Sequence, residues 1–312
     1  MARRGRRRSA EAPGASGFLV VDKPVGWTSH DVVDAARGWF GTRRVGHLGT
    51  LDPLATGVLP LAIRAATKLI PYVQDRDKGY AGAIRLGRVT DTLDAEGRVL
   101  HEYSGPWPEE ARVEEAMSSL VGDLEQVPPM FSAVKKDGVP LHKLAREGRE
   151  VEREPKRVRV DRFALRKYDP PRLEIEVECS GGTYVRVLAA DLGARLGCGA
   201  HLADLRRTRS GPFTLDQATS PETLRVEAES GEIERRLISP LVALGLPALR
   251  LSADEVQQVA QGSEIAADGA PEVPGTRMVA HDDEGRVIGI LELRPGRRLR
   301  PLRVLEPFAG RR

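Results

Sequence analysis

Cysteine is nearly missing from this chain. Cys179 and Cys198 are the only two in 312 residues, with no CxxC spacing and no histidine pair beside them. That excludes a zinc ribbon and a secreted disulfide scaffold, and it points to the reducing cytoplasm. Long apolar runs are missing too. No stretch approaches a membrane span, and the N-terminus lacks the basic start, apolar centre and small-residue cleavage site of a secretory signal. There is no internal repeat and no real surplus of either charge. The formal net charge is +3, but Arg3, Arg4, Arg6, Arg7 and Arg8 crowd the N-terminus, and without those five the balance is 43 basic against 45 acidic residues. Any case for nucleic acid must rest on where charges cluster, not on their sum.

What is present describes a globular chain, with 40% hydrophobic and 30% charged residues. Residues 1–16 read as a disordered basic tail. GFLVVDK (Gly17–Lys23) reads as a short buried strand closed by Pro24 and Gly26. Thr28 or Ser29 can cap a helix running to about Phe40. Strands are expected near Val58–Ile63, Tyr80–Gly87 and Leu173–Cys179, and helices from Pro108 to about Gly122 and over Val185–Leu196. The stretch Met130–Arg159 is polar and mostly basic. From about Leu246 the composition turns to short strand-like runs, which suggests a small separate β-rich domain over residues 246–312. Its segment from Arg294 to Arg303 holds five arginines and no acid.

One stretch raises a chemical question. VGHLGTLDPLATGVLPL (Val45–Leu61) carries a single carboxylate, Asp52, between apolar neighbours. Asp-Pro is an ordinary turn initiator. An apolar setting would also desolvate the carboxylate and suit it to work as a nucleophile or base. No second acid lies in the segment, and His47 has no companion at metal-binding spacing, so neither a carboxylate pair nor a metal site is indicated. A lone carboxylate without a metal points to covalent or acid–base work on a labile bond. In CSGGTYVRVLAADLG (Cys179–Gly193), Arg186 stands near a strand-to-helix junction, where a guanidinium can hold a carboxylate ionised. In GCGAHLADLRRTRSGPF (Gly197–Phe213), Arg206, Arg207 and Arg209 form a basic stripe that could sit on phosphates or be a solvated face.

Together these stretches, with AATKL, KGYAGAIRLGRVTDTLDAEG and VPPMFSAVKKDGVPLHKLAREG between them, resemble the TruB family of bacterial tRNA pseudouridine synthases. The match runs in family order over nearly the whole chain. It implies a mixed α/β (α+β) pseudouridine synthase fold on a curved, largely antiparallel sheet. The catalytic domain would span 17–245, with an RNA-binding insertion at about 104–155 and a PUA-like domain at 246–312. It also implies roles. Asp52 matches the nucleophile, Tyr80 the tyrosine that stacks on the base and moves a proton, and Arg186 the partner of the aspartate. His47, Tyr184 and Leu205 match substrate-contacting positions, and Lys23 a lysine near the cleft. In one departure, Phe131 stands where many members have tyrosine, which removes a phenol.

The implied reaction isomerises uridine-55 in the T-loop of tRNA. It needs no cofactor and no metal, because substrate and product contain the same atoms. A monomer acting on the tRNA T-arm without guide RNA or membrane is expected. Basic segments at 135–159, 206–209 and 294–303 would grip phosphates. The base must be flipped out, after which Asp52 could attack C1′, add at C6 or assist a glycal route. The sequence leaves all three routes open. It also leaves open a tRNA-folding protein whose isomerase activity is dispensable, and a guide-dependent synthase of the dyskerin type, against which the Met130–Gly148 insertion speaks.

Overall fold

The computed structural model describes residues 14–73, 76–132, 134–267 and 273–305. In chain order the elements begin with strand β1 (Gly17–Lys23), helix α1 (Ser29–Trp39) and strands β2 (Val45–His47), β3 (Ala55–Ile63) and β4 (Lys78–Leu86). A hairpin of β5 (Arg88–Thr90) and β6 (Val99–Glu102) precedes α2 (Glu110–Ser118) and β7 (Gly122–Gln126). A second hairpin, β8 (Lys135–Lys136) and β9 (Val139–Pro140), leads into α3 (Leu141–Arg146). The chain returns through β10 (Lys156–Asp169), β11 (Arg172–Cys179), α4 (Val185–Leu196), β12 (Ala200–Ser210) and β13 (Phe213–Thr214). After α5 (Pro221–Glu229) and α6 (Pro240–Ala243) come β14 (Ala248–Arg250), α7 (Ala253–Ala260), β15 (Ile265–Ala266), β16 (Arg277–His281), β17 (Val287–Arg294) and β18 (Arg298–Val304).

The main sheet is curved and runs β1-β3-β12-β4-β11-β10-β7, with β2 on β3 and β13 on β12. Every pairing in it is antiparallel except β12 against β3. The unbroken apolar run of β1 is explained by burial on both faces. Leu19 and Val21 enter the core under α1, α2, α4 and α5, whereas Phe18 and Val20 enter a second core shared with the C-terminal strands. β3 divides its residues likewise, Leu59 and Leu61 to one side and Val58 and Ala62 to the other. At the parallel junction only glycine fits. A Cβ on Gly57 would stand 2.2 Å from the carbonyl oxygen of Arg207, and its φ is +96°.

The C-terminal strands form their own sheet, ordered β14-β16-β17-β18-β15. Met278, Leu291, Leu293 and Leu299 fill its private core with Val256 and Val259 of α7. Val279 and Ile290, one pleat over, join Leu305 in the shared core. Lys68 Nζ donates to the carbonyls of Val304 and Leu305, and Arg277 lies over the Tyr72 ring. The small domain is thus docked, not tethered. No helix among the described residues is long and apolar enough to cross a membrane.

Several boundaries move. Of the expected tail, residues 1–13 lie outside the described residues. Residues 15 and 16 are pinned to the domain, since Arg64 donates to Ala15 O and the Ser16 hydroxyl accepts from Ala65 N. Of the expected insertion, α2 packs into the main core and β7 pairs with β10 as an edge of the main sheet, so both belong to the main body of the domain. The 14-residue β10 was hidden in the sequence. Its buried residues are Val158, Val160 and Phe163, and a register shift after Val160 breaks the alternation a strand should show.

Candidate active site

Asp52 sits in the turn between β2 and β3, and its turn is braced residue by residue. The Ser29 hydroxyl, 3% exposed at the first position of α1, accepts from Leu51 N at 2.8 Å and donates to Leu51 O at 3.0 Å. Arg207 donates to Gly49 O at 3.1 Å and Thr50 O at 3.3 Å. Pro53 O accepts from Gly26 N at 2.9 Å and from Lys23 Nζ at 3.3 Å. Asp52 O closes the turn by accepting from Ala55 N at 3.0 Å. The two sequence readings therefore coincide, because Asp52 initiates a turn and the turn is built to present its side chain. Ser29 itself is fixed by a capping box, in which Thr28 and Asp31 exchange side-chain and backbone hydrogen bonds at the start of α1.

The carboxylate meets Arg186, whose Nε lies 2.9 Å from Asp52 Oδ2. The Nε–H does not point along that line, so the attraction is chiefly that of an ion pair. Arg186 comes from the first turn of α4 and is held from the other side. Its Nη atoms donate to Thr92 O and Phe131 O at 2.9 Å each, and one lies 3.5 Å from Asp94 Oδ2. The Phe131 contact is made by the backbone, so the missing phenol does not disturb it. Asp94 is 3% exposed and accepts from Glu96 N and the Thr92 hydroxyl. One buried guanidinium thus serves two carboxylates.

Asp52 keeps 40% of its side-chain surface open, against 4% for Arg186. It faces an opening while most of its surroundings are protein. Burial accordingly raises its pKa above the ordinary carboxylate value. Arg186 opposes that rise and the charge of Asp94 adds to it. Desolvation is the larger influence, and the Arg186 guanidinium acts against it in favour of the ionised carboxylate.

The other expected residues gather around this point to different degrees. Tyr80, on β4, is 9% exposed, with burial raising its phenol. Leu205, on β12, is 8% exposed and lies opposite Gly82 of β4 and Ala55 of β3. His47 ends β2, its Nδ1 accepting from Gly49 N at 3.3 Å, and burial lowers its pKa, favouring the neutral ring. Tyr184 caps α4, its backbone bonded both ways to the buried Gln126 amide. Lys23 is fully buried, and its ammonium donates to Pro24, Trp27 and Pro53 carbonyls. Burial brings its pKa down to about 8. The structure therefore places Lys23 beneath the Asp52 turn, with its donors occupied by backbone.

The arginine stripe is corrected at Arg207. Arg206 forks onto Asp22 at 3.0 and 2.8 Å, and Arg207 is 1% exposed, so these two are not a phosphate-facing pair. A bulge between Arg207 and Arg209 splits the run across the sheet. Sequence reasoning passed over Ser29, Asp94, Gln126 and the buried role of Arg207. The one available signal was TDTLDAEG, an acid set among threonines before a glycine. In the C-terminal cluster Arg294 pairs with Glu292, Arg298 approaches Glu264 and Arg297 donates to Ala267 O, leaving Arg300 and Arg303 as exposed cations of that hairpin. Among the described residues no group of His, Cys, Asp and Glu could hold a metal. Two surface hollows, of about 370 and 310 Å³, lie at the domain junction beside Pro247 and between α2 and α4, and neither contains a residue of this site.

Comparison with known proteins bears on the family and the fold. Residues 37–185 match the model of the TruB family pseudouridylate synthase N-terminal domain, and residues 186–244 that of the tRNA pseudouridylate synthase B C-terminal domain. The tRNA pseudouridine synthase B of Geobacter sulfurreducens is 49% identical over 85% of this chain and 87% of its own length. That of Pseudomonas aeruginosa is 46% identical over 93% and 96%. Among solved structures, a chain of a Cbf5-Nop10-Gar1 complex shares the fold with a TM-score of 0.69, at 24% identity over 93% of this chain and 85% of that one.

Proposed function

The chain belongs to the TruB family of pseudouridylate synthases, and from that premise we propose that it isomerises the T-loop uridine at position 55 of tRNA, acting alone, with Asp52 as nucleophile. The observation that carries this reading is the Asp52 turn. Its neighbouring backbone groups are tied to buried donors and acceptors, yet the carboxylate is left open beside Arg186 and Tyr80.

The reaction breaks N1–C1′, rejoins the uracil through C5 and exchanges the C5 hydrogen for one on N1. A uridine stacked in a folded loop must first leave its stack, which costs a few kcal/mol that the pocket must return. Tyr80 and Leu205 offer the apolar surface for the flipped ring, and His47 at the end of β2 takes the place the base has left. Asp52 supplies the negative charge that the cleaved ribose requires. Its raised pKa fits a carboxylate whose ionised form is reactive because water does not satisfy it. Arg186 holds that charge in place, and its poorly aligned Nε–H leaves room for the pair to tighten once substrate excludes solvent. Lys135, Lys136, Lys143, Arg300 and Arg303 supply cations for the phosphates of the T-arm. The relatives named tRNA pseudouridine synthase B favour the stand-alone enzyme over the guide-dependent reading, since the Cbf5 likeness is one of fold.

Tritium release from a T-arm stem-loop labelled at C5 of uridine tests the proposal, with wild type and Asp52→Asn compared at equal RNA occupancy and no guide or partner added. Release by wild type alone supports it. Tight binding without release by either protein would replace it with the tRNA-folding reading.

A further inference from the structure

The bulkiest of the fully buried side chains belongs to an arginine. Arg207 is 1% exposed, and a guanidinium so placed normally has a carboxylate beside it, because an unpaired buried charge is costly. Among the described residues no carboxylate lies against it. Nε donates to Val58 O at 2.6 Å, the two Nη atoms to Thr50 O and Gly49 O, and the Tyr80 hydroxyl lies alongside. Arg207 and Tyr80 are direct cross-strand partners on β12 and β4, so both side chains leave the sheet on the face that also carries Leu205. Gly57 opposite Arg207 on β3 has no side chain to compete for that space. The bulge that follows Arg207 turns its neighbours elsewhere.

One guanidinium thus touches both the turn that presents Asp52 and the tyrosine that faces it. Resting on the isomerase reading, we propose that Arg207 is a positioning residue that fixes the Asp52 turn through the Gly49 and Thr50 carbonyls and provides the cation against which the Tyr80 phenol ionises. A tyrosine that accepts the C5 proton must first lose its own to solvent. The C5–H bond then breaks, its electron pair re-forms the C5=C6 double bond as the C6=N1 pair moves to N1, N1 takes up a proton from solvent, and the C5 proton restores the phenol. The groups facing Tyr80 are Arg207 from β12, the Cys179 thiol at the end of β11 and Asp52 from its turn. Burial, Cys179 and Asp52 all disfavour the phenolate, and Arg207 alone favours it. Arginine suits the task because it stays charged when desolvated and its fixed fork reaches several acceptors at once, which a lysine ammonium cannot.

Difluorotyrosine placed at position 80 of the full chain, whose more acidic phenol titrates in a tolerable pH range, allows a direct test by fluorine NMR. In otherwise wild-type protein the Arg207 Nε resonance is expected to move with the same midpoint as the fluorines. Arg207→Gln is expected to raise that midpoint by about one pH unit or more, and Arg207→Lys by less. With natural tyrosine, Arg207→Gln should lower kcat roughly 100-fold with KM nearly unchanged. In a Tyr80→Phe background the same change should cost less, the remainder being the loss from the Asp52 turn. Separate midpoints for Arg207 and residue 80 would overturn the proposal without any arginine variant having to fold. So would an unmoved midpoint in Arg207→Gln, or a raised KM with kcat intact, which would confine Arg207 to shaping the substrate pocket. Absent tritium release by wild type would sink the isomerase reading separately, even with the titrations coupled.

Discussion

Ionised Asp52 is the costly form of that side chain in the folded protein. Its folded pKa stands above its unfolded value, so the folded state holds its proton more tightly. Stability then falls as pH rises through the window from the ordinary carboxylate pKa upward. Asn cannot ionise and escapes this loss. Asp52→Asn is therefore expected to melt above wild type at pH 7 and level with it near pH 3, by scanning calorimetry, while losing all activity. A lower melting temperature at pH 7 would mean that the Arg186 pair outweighs desolvation. Asp94 acts on the same balance from behind, because its charge raises the Asp52 pKa and it competes for Arg186. In Asp94→Asn the acid limb of kcat/KM should move to lower pH. The plateau should drop by about tenfold or more, since Arg186 loses a buried partner. A limb left in place would show that Asp94 does not sense Asp52.

Elements matter here by what they bring to one short turn. α1 contributes Ser29, β1 contributes Lys23, and β12 contributes Arg207, so a segment without regular structure inherits the rigidity of three elements. Ser29→Ala removes one hydroxyl and leaves both polar groups of Leu51 unpaired in a dry place. We expect a loss of about 1–3 kcal/mol in urea unfolding, together with roughly tenfold lower kcat at unchanged RNA affinity. Full kcat in a destabilised variant would mean that Arg207 and Lys23 suffice to hold the turn.

The whole molecule is bound together by the core that the two sheets share. Val279, Ile290 and Leu305 from the C-terminal strands cover Phe18, Val20, Val58 and Phe213. Ending the chain after Gly245 would expose that face of β1 and β3, so the truncated protein is expected to aggregate or melt far below wild type. The full chain should unfold in one calorimetric transition. Two resolved transitions, or a soluble truncated form of unchanged stability, would show that the domains are independent.

Much of this was legible along the chain. Local rules are enough to find β1, α1 and α4, because a continuous apolar run, a Thr-x-x-Asp cap and a glycine at the helix end act within a few residues. The apolar, glycine-rich setting that singles out Asp52 was legible too, since it is written in its neighbours. The extent of β10 was not, because a bulge breaks the period that marks a strand. Nor were the fates of Arg206 and Arg207, adjacent and chemically identical in the sequence. Which one reaches solvent and which one lies beneath the reacting groups depends on the face of a strand and the register of its pairing with β3 and β4. Asp94, 42 residues from Asp52 in sequence, becomes its neighbour only through Arg186. The sequence alone determined the elements that obey local rules and marked Asp52 as the candidate nucleophile. Tertiary structure decided which charges are desolvated and paired, because desolvation and pairing depend on distances in space that separation along the chain does not set.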